Sequence, residues 1–133
     1  MVGRILAAAE FLRPQSEKVA QVYYPGLVDH PQHALACRQF GDLFGTIVTF
    51  RLAGDRAAAD AFIAAAAKRI PFCPSLGELS TTLSHPETTS HRGMTVDQRA
   101  TLGITGGTIR LSVGTESIEF IREALVEALR GVR

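Results

Sequence analysis

The stretch GGTIRLSVGTE, residues 106–116, is a short strand candidate with glycines near both ends and one arginine in its middle. Ile109, Leu111 and Val113 alternate with polar residues and glycine. Successive side chains of a β-strand point to opposite faces of its sheet. The alternation therefore predicts one apolar face and one polar face, with Arg110 on the polar face.

A helix and a second strand are predicted on similar grounds. SIEFIREALVEALRG, residues 117–131, places Ile121, Leu125 and other apolar residues along one helical face and ends in glycine. GTIVTFRLAG, residues 45–54, has β-branched and aromatic residues between glycines, which is typical of a strand.

The other segments continue this alternation of helices and strands. Pro14 ends a first amphipathic helix, Asp55 caps an alanine-rich helix, and Thr95 with Gln98 forms a capping box. The remaining predicted elements are a strand from Val19 to Tyr24, a short helix with Pro31 in its first turn, and short strands around Ile70 to Phe72 and Thr81 to Ser84. This order predicts an α/β fold of the α+β sandwich type, a mainly antiparallel sheet with helices packed on one face.

Length and composition favour one domain and exclude several classes of partner. The sequence has 133 residues, of which 46% are hydrophobic, and a formal net charge of +1. Its basic residues are scattered, so we expect no nucleic acid partner. No apolar run reaches the roughly 18 residues that span a bilayer, and Glu10 interrupts the apolar start in a way that secretory signals do not. We therefore expect a soluble, cytoplasmic protein without a membrane partner.

The cysteines and histidines do not form a recognisable metal site. Cys37 and Cys73 lack the paired spacing of zinc ligands and are predicted to be buried free thiols. His85 and His91 lie close together in SHPETTSHRG, but their spacing matches no metal motif, so this segment is interpreted as a loop.

Two segments are candidates for ligand binding. The planar guanidinium of Arg110 can donate two parallel hydrogen bonds to a carboxylate, although a strand with a polar face in water explains the same pattern. In CPSLGELS, residues 73–80, Ser75 and Gly77 can present a hydroxyl and bare backbone amides, although a simple turn is the alternative.

The sequence contains no motif that is typical of a reactive centre. The chain has no G-x-S-x-G elbow, P-loop or dinucleotide-binding glycine pattern. Lys18 adjoins a strand and Lys68 closes a helix, so neither is in an apolar setting suited to Schiff-base chemistry.

Seven segments together resemble a known family in order and spacing. They are YYPGL (23–27), HPQHALACRQ (30–39), GTIVTFRLAGD (45–55), PSLGELS (74–80), LSHPETTSH (83–91), DQRATLGI (97–104) and GTIRLSVGTES (107–117). They resemble the C-terminal portion of the Cys/Met-metabolism enzymes that use pyridoxal phosphate, the transsulfuration group. The resemblance covers nearly the whole chain and implies the small C-terminal domain of a fold type I pyridoxal-phosphate enzyme that catalyses elimination or replacement on sulfur amino acids or activated homoserines.

The resemblance also implies roles for individual residues. Arg110 matches the arginine that holds the substrate α-carboxylate, Ser75 matches a serine that contacts the same group, and Ser90 lies where a hydroxyl residue often precedes histidine. The Schiff-base lysine and the other pyridoxal-phosphate ligands belong to a larger upstream domain in the family. We therefore expect no cofactor on this chain alone, no independent catalysis, and a large-domain or homo-oligomeric partner.

Departures from the family pattern bear on specificity. Pro74 stands where enzymes that act on cystathionine usually have glutamate, which favours methionine γ-lyase or homoserine sulfhydrylase types. Phe44 and Ser80 also replace a common glycine and a common glutamate. The alternative function is a stand-alone module that binds an amino acid through Arg110 and Ser75, or that self-associates through an uncovered face of its first helix.

Overall fold

The computed structural model describes residues 2–74 and 78–132, so Ser75 lies outside the described residues. Helices and strands alternate in the order that the sequence predicts. The elements are α1 (Val2–Leu12), β1 (Val19–Tyr23), α2 (His33–Phe40), β2 (Ile47–Leu52), α3 (Arg56–Ala66), β3 (Thr82–Ser84), α4 (Val96–Thr101), β4 (Thr108–Ser112) and α5 (Ile118–Arg130). Helix α2 begins at His33, so Pro31 precedes the helix and does not lie in its first turn.

The four strands form one antiparallel sheet in the order β1-β2-β4-β3. Strand β4, which lies within GGTIRLSVGTE (106–116), is thus an inner strand with a partner on each side. The strand predicted around Ile70 to Phe72 contributes only an isolated bridge between Phe72 and Leu83. The predicted fold class, an antiparallel sheet with helices packed on one face, is confirmed.

The core lies between the sheet and helices α1, α3 and α5. Val48, Phe50 and Leu52 of β2 and Ile109 and Leu111 of β4 are almost completely buried. The apolar face predicted for β4 is thus confirmed, but Thr108 and Ser112 on its polar face are buried as well. The helices contribute a shared set of buried residues: Ile5, Ala8, Ala9, Leu12, Ala59, Phe62, Ala66, Ile121, Ala124, Leu125, Ala128 and Leu129. Arg110, Thr49 and the other residues between the core positions therefore point away from the helices.

Capping hydrogen bonds fix where three helices begin. The Asp55 side chain accepts from the Ala57 amide, and the Ser117 hydroxyl accepts from the Phe120 amide. Thr95 and Gln98 form the predicted capping box, in which each side chain accepts from the other residue's backbone amide. Such caps stabilise a helix by about 1 kcal/mol each.

Two expectations about buried and exposed residues are wrong. The apolar side of α1 is covered within the chain, because Ile5, Ala9 and Leu12 are buried in the core; α1 does not offer an open apolar face for self-association. Cys37 is exposed and Cys73 only half-buried. Helix α2, which carries Cys37, lies at the surface and buries only Ala36, so its apolar composition misled the prediction.

Burial of Tyr24 makes stability depend on pH in the alkaline range. Tyr24 is fully buried, donates a hydrogen bond to the Gly45 carbonyl at 3.1 Å, and has a pKa raised by desolvation. An unfolded tyrosine loses its proton near pH 10, whereas the folded protein retains it to higher pH. The folded state then binds more protons than the unfolded state, and its stability falls as pH rises above about 10.

We expect Tyr24→Phe to reduce this alkaline loss of stability. Urea midpoints measured at pH 8 and pH 10.5 test the effect. The variant is less stable at pH 8, by about 1 kcal/mol for the lost hydrogen bond, but its midpoint changes less between the two pH values. An equal decline in both proteins would contradict the prediction.

Candidate functional site

Arg110 lies at the centre of a row of residues that crosses the sheet. Strand register pairs Arg110 with Thr49 of β2 on one side and with Ser84 of β3 on the other, and Thr49 pairs in turn with Tyr23 of β1. Directly paired residues of antiparallel strands share a face. Tyr23, Thr49, Arg110 and Ser84, termed here the Arg110 row, therefore lie side by side on the face opposite the helices.

The charge of Arg110 has no carboxylate partner among the described residues. Ion pairs within this part of the chain involve Arg13, Arg56 and Arg69. The Arg110 side chain is half-buried, and its Nη2 donates to the carbonyl of Pro74 at 3.3 Å. A neutral acceptor at this distance leaves most of the guanidinium's donors available to a ligand.

Ser84 is the most deeply buried member of the Arg110 row. The residue is 2% exposed, and its Oγ has no hydrogen-bond partner among the described residues. Buried hydroxyls are nearly always hydrogen-bonded. The Ser84 hydroxyl is therefore unusual in having no partner within the described part of the chain, next to an arginine that has no carboxylate partner there.

A hydrogen-bond network fixes the entrance to β3. Glu116 accepts from the Thr81 amide at 2.8 Å and from the Thr81 hydroxyl at 2.8 Å, and that hydroxyl accepts from the Gly114 amide at 2.9 Å. Because Glu116 is engaged in this way, its carboxylate is committed to holding β3 beside β4. The network sets the position of Ser84 relative to Arg110.

His85 is held by two contacts that give it a structural role. It is 2% exposed, with Nε2 2.7 Å from the Gly106 carbonyl and Nδ1 2.8 Å from the Thr88 hydroxyl. A carbonyl only accepts, so Nε2 carries a hydrogen. Within residues 2–74 and 78–132, no three His, Cys, Asp or Glu residues are grouped to hold a metal ion.

The predicted site residues are not all brought together. Ser90 is exposed, its hydroxyl lies 2.8 Å from His91 Nδ1, and no hydrogen bond joins it to Arg110. Ser75 is outside the described residues, although the preceding residue, Pro74, contacts Arg110. Ser84 was not identified from the sequence. Its place directly after Leu83 puts the two side chains on opposite faces of the sheet, but its pairing with Arg110 depends on the register between β3 and β4.

A separate groove follows the outer edge of β1. It is lined by Gln21 and Tyr23 together with the segment from Asp29 to Pro31, and Arg13 pairs with Asp29 beside it at 3.5 Å. The groove shares Tyr23 with the Arg110 row but is not lined by Arg110. None of the helices in the described part of the chain is long and apolar enough to cross a membrane.

Two solved cystathionine gamma-lyases are similar to this chain in structure. Cystathionine gamma-lyase from yeast superposes with a TM-score of 0.88 and 30% identity over 96% of this chain and 33% of that one. Cystathionine gamma-lyase from Micromonospora echinospora gives a TM-score of 0.87 and 33% identity over 97% of this chain and 33% of that one.

Sequence relatives give the same result. O-succinylhomoserine sulfhydrylase from Pseudomonas aeruginosa is 40% identical over 124 residues, 93% of this chain and 30% of that protein. L-methionine gamma-lyase from Fusobacterium nucleatum subsp. polymorphum is 37% identical over 126 residues, 92% of this chain and 30% of that protein. The chain therefore spans about 30% of the length of these relatives. Residues 5–130 match the model of the Cys/Met metabolism PLP-dependent enzymes, and the chain belongs to this family.

Proposed function

We propose that this chain is the C-terminal, substrate-binding domain of a pyridoxal-phosphate-dependent enzyme that acts on sulfur amino acids, and that Arg110 holds the substrate carboxylate. The observation that carries the proposal is an arginine fixed on an inner strand without a carboxylate partner in the described part of the chain. A guanidinium on a rigid element is suited to binding a carboxylate in a defined orientation.

The relatives and one sequence position support a choice of substrate class. The relatives named above include a sulfhydrylase of O-succinylhomoserine and a lyase of methionine. Pro74 replaces the glutamate that is usual in enzymes acting on cystathionine, and its carbonyl contacts Arg110. We therefore favour methionine or an activated homoserine as the substrate, in an elimination or replacement at the β or γ carbon.

The lysines of this chain do not fit the site of the family's cofactor. A pyridoxal-phosphate Schiff base needs a lysine amine close to the substrate. Lys18 Nζ donates to the Leu129 carbonyl at 2.8 Å, on the helical side of the sheet, and Lys68 follows α3 on that same side. Arg110 points to the opposite face. The proposed role of this chain is accordingly substrate binding, with cofactor chemistry supplied by a large domain or a partner chain.

Calorimetric titration tests the role of Arg110. We expect the chain to bind methionine through its carboxylate and to bind methioninamide, which lacks the carboxylate, much more weakly. Arg110→Ala should weaken methionine binding by about thirtyfold or more, as expected when a charge-assisted pair of hydrogen bonds is lost. Arg51 provides a matched control, because it is a half-buried arginine in the neighbouring strand, paired with Thr108 on the same face.

The outcomes separate the proposal from its alternatives. Arg51→Ala should leave methionine binding unchanged. Equal affinity for methionine and methioninamide, or equal losses from the two arginine substitutions, would show that Arg110 is not a specific carboxylate anchor.

A further inference from the structure

We propose that Ser84 is a second binding residue of the Arg110 site, whose hydroxyl donates a hydrogen bond to the carboxylate that Arg110 holds. This inference rests on the proposed function, because it takes Arg110 as the anchor. It adds a residue from a different strand, and it predicts that the hydroxyl contributes to ligand binding and not to folding.

The first argument is that the Ser84 hydroxyl makes no hydrogen bond within residues 2–74 and 78–132. It is buried without a hydrogen-bond partner among the described residues. Other buried hydroxyls nearby do have hydrogen-bond partners. The Thr81 hydroxyl donates to Glu116, and the Thr108 hydroxyl accepts from the Thr105 amide at 2.9 Å. A buried polar group without a partner is unfavourable for folding. The Ser84 hydroxyl therefore lowers the stability of the folded chain, and a ligand that accepts its hydrogen bond can offset this loss.

The second argument is the path of the Arg110 side chain. Residues 71–73 run along the outer edge of β3, where the Cys73 amide donates to the Leu83 carbonyl and the Leu83 amide donates to the Pro71 carbonyl. Pro74 follows this segment, so the contact between Arg110 and Pro74 reaches from β4 across β3. Neighbouring strands are about 4.8 Å apart, so two spacings, roughly 10 Å in all, lie between β4 and this segment. An extended arginine side chain together with the 3.3 Å hydrogen bond spans this distance. Arg110 thus passes over Ser84, its direct partner in the strand register.

The third argument is that one carboxylate can satisfy both residues. Its two oxygens offer about four acceptor positions, enough for a guanidinium and a hydroxyl together. The 3.3 Å contact with the Pro74 carbonyl is long and neutral, so a charged acceptor competes favourably for the guanidinium. When Arg110 turns from Pro74 to a ligand carboxylate, the hydroxyl beneath its side chain gains an acceptor.

Thermal unfolding and methionine titration of Ser84→Ala test the inference. Without ligand, the variant should unfold at the same temperature as the unsubstituted chain or higher, because it removes an unpartnered buried hydroxyl. Its affinity for methionine should fall about tenfold or more, the effect of one lost hydrogen bond to a charged group. Ser112→Ala is the control, since Ser112 is a buried serine on the same face of β4 and should leave affinity unchanged.

Each result bears on the inference separately from the proposed function. A lower unfolding temperature with unchanged affinity would show that the Ser84 hydroxyl serves the fold, which overturns the inference. If Arg110→Ala loses binding and Ser84→Ala does not, the second binding residue is wrong and the anchor stands. If the unsubstituted chain binds no methionine, or if neither substitution alters binding, both proposals fail for this chain.

Discussion

Gly114→Ala is expected to lower the free energy of unfolding by about 3 kcal/mol or more, at the upper end of the usual cost of overpacking. A Cβ atom at this position would lie 2.4 Å from the Leu79 carbonyl oxygen and 2.5 Å from the Thr81 amide nitrogen. These are backbone atoms and cannot rotate away as a side chain can. The substitution must therefore push the segment that leads into β3 away from β4.

The same displacement should weaken ligand binding. Gly114 donates to the Thr81 hydroxyl, and Thr81 is held by Glu116, so moving this segment moves Ser84 relative to Arg110. Urea unfolding measures the stability change, and methionine titration measures the loss of affinity. Gly93→Ala is the matched control, because nothing lies within 4 Å of a Cβ built at Gly93. Comparable stability of the two variants would contradict the close approach of the two segments.

Phe62→Ala is expected to destabilise the protein by about 3–5 kcal/mol, the range for removing a buried aromatic ring. Phe62 is completely buried in α3, and its ring meets that of Phe50 edge to face, with 5.4 Å between ring centres. The lost ring leaves a cavity between helix and sheet that neighbouring side chains fill only in part. With a total stability typically of about 5–15 kcal/mol, such a loss brings the protein close to unfolding.

Chemical denaturation with a surface control tests this prediction. Phe40→Ala removes the same ring from a position that is 55% exposed in α2, and it should change the unfolding free energy by about 0.5 kcal/mol or less. A loss below about 1 kcal/mol for Phe62→Ala would mean that the α3 layer is not firmly packed on β2.

Local patterns were sufficient to predict the elements of the fold. The alternation in β4 predicted that Ile109 and Leu111 share an apolar face, and the pairing of Thr95 with Gln98 predicted the start of α4, because these signals involve residues a few positions apart. Strands of three residues or fewer contain too few alternating positions to be identified from the sequence. The segment around Phe72 was consequently predicted as a strand but forms one bridge.

The candidate site depended on information that the sequence does not express locally. Arg110 was identified from its chemistry and from family resemblance, but its neighbours Thr49 and Ser84 come from strands distant in sequence, and only register aligns them. The error at Cys37 has a related cause. An apolar composition suggests burial, whereas burial depends on whether the helix packs on the sheet, and α2 does not pack its cysteine inward.

The order of strands in the sheet has a consequence for synthesis of the protein. β1 and β2 pair with each other early in the chain, but the strand that joins β2 to β3 is β4, near the far end of the sequence. A ribosome releases the N-terminal strands first, so the edge of β2 that pairs with β4, and the sides of α1 and α3 that pack on α5, remain open until β4 and α5 emerge. Contacts between such distant segments slow folding and prolong exposure of aggregation-prone surface. The nascent chain should therefore need chaperone protection until residues 108–130 have left the exit tunnel.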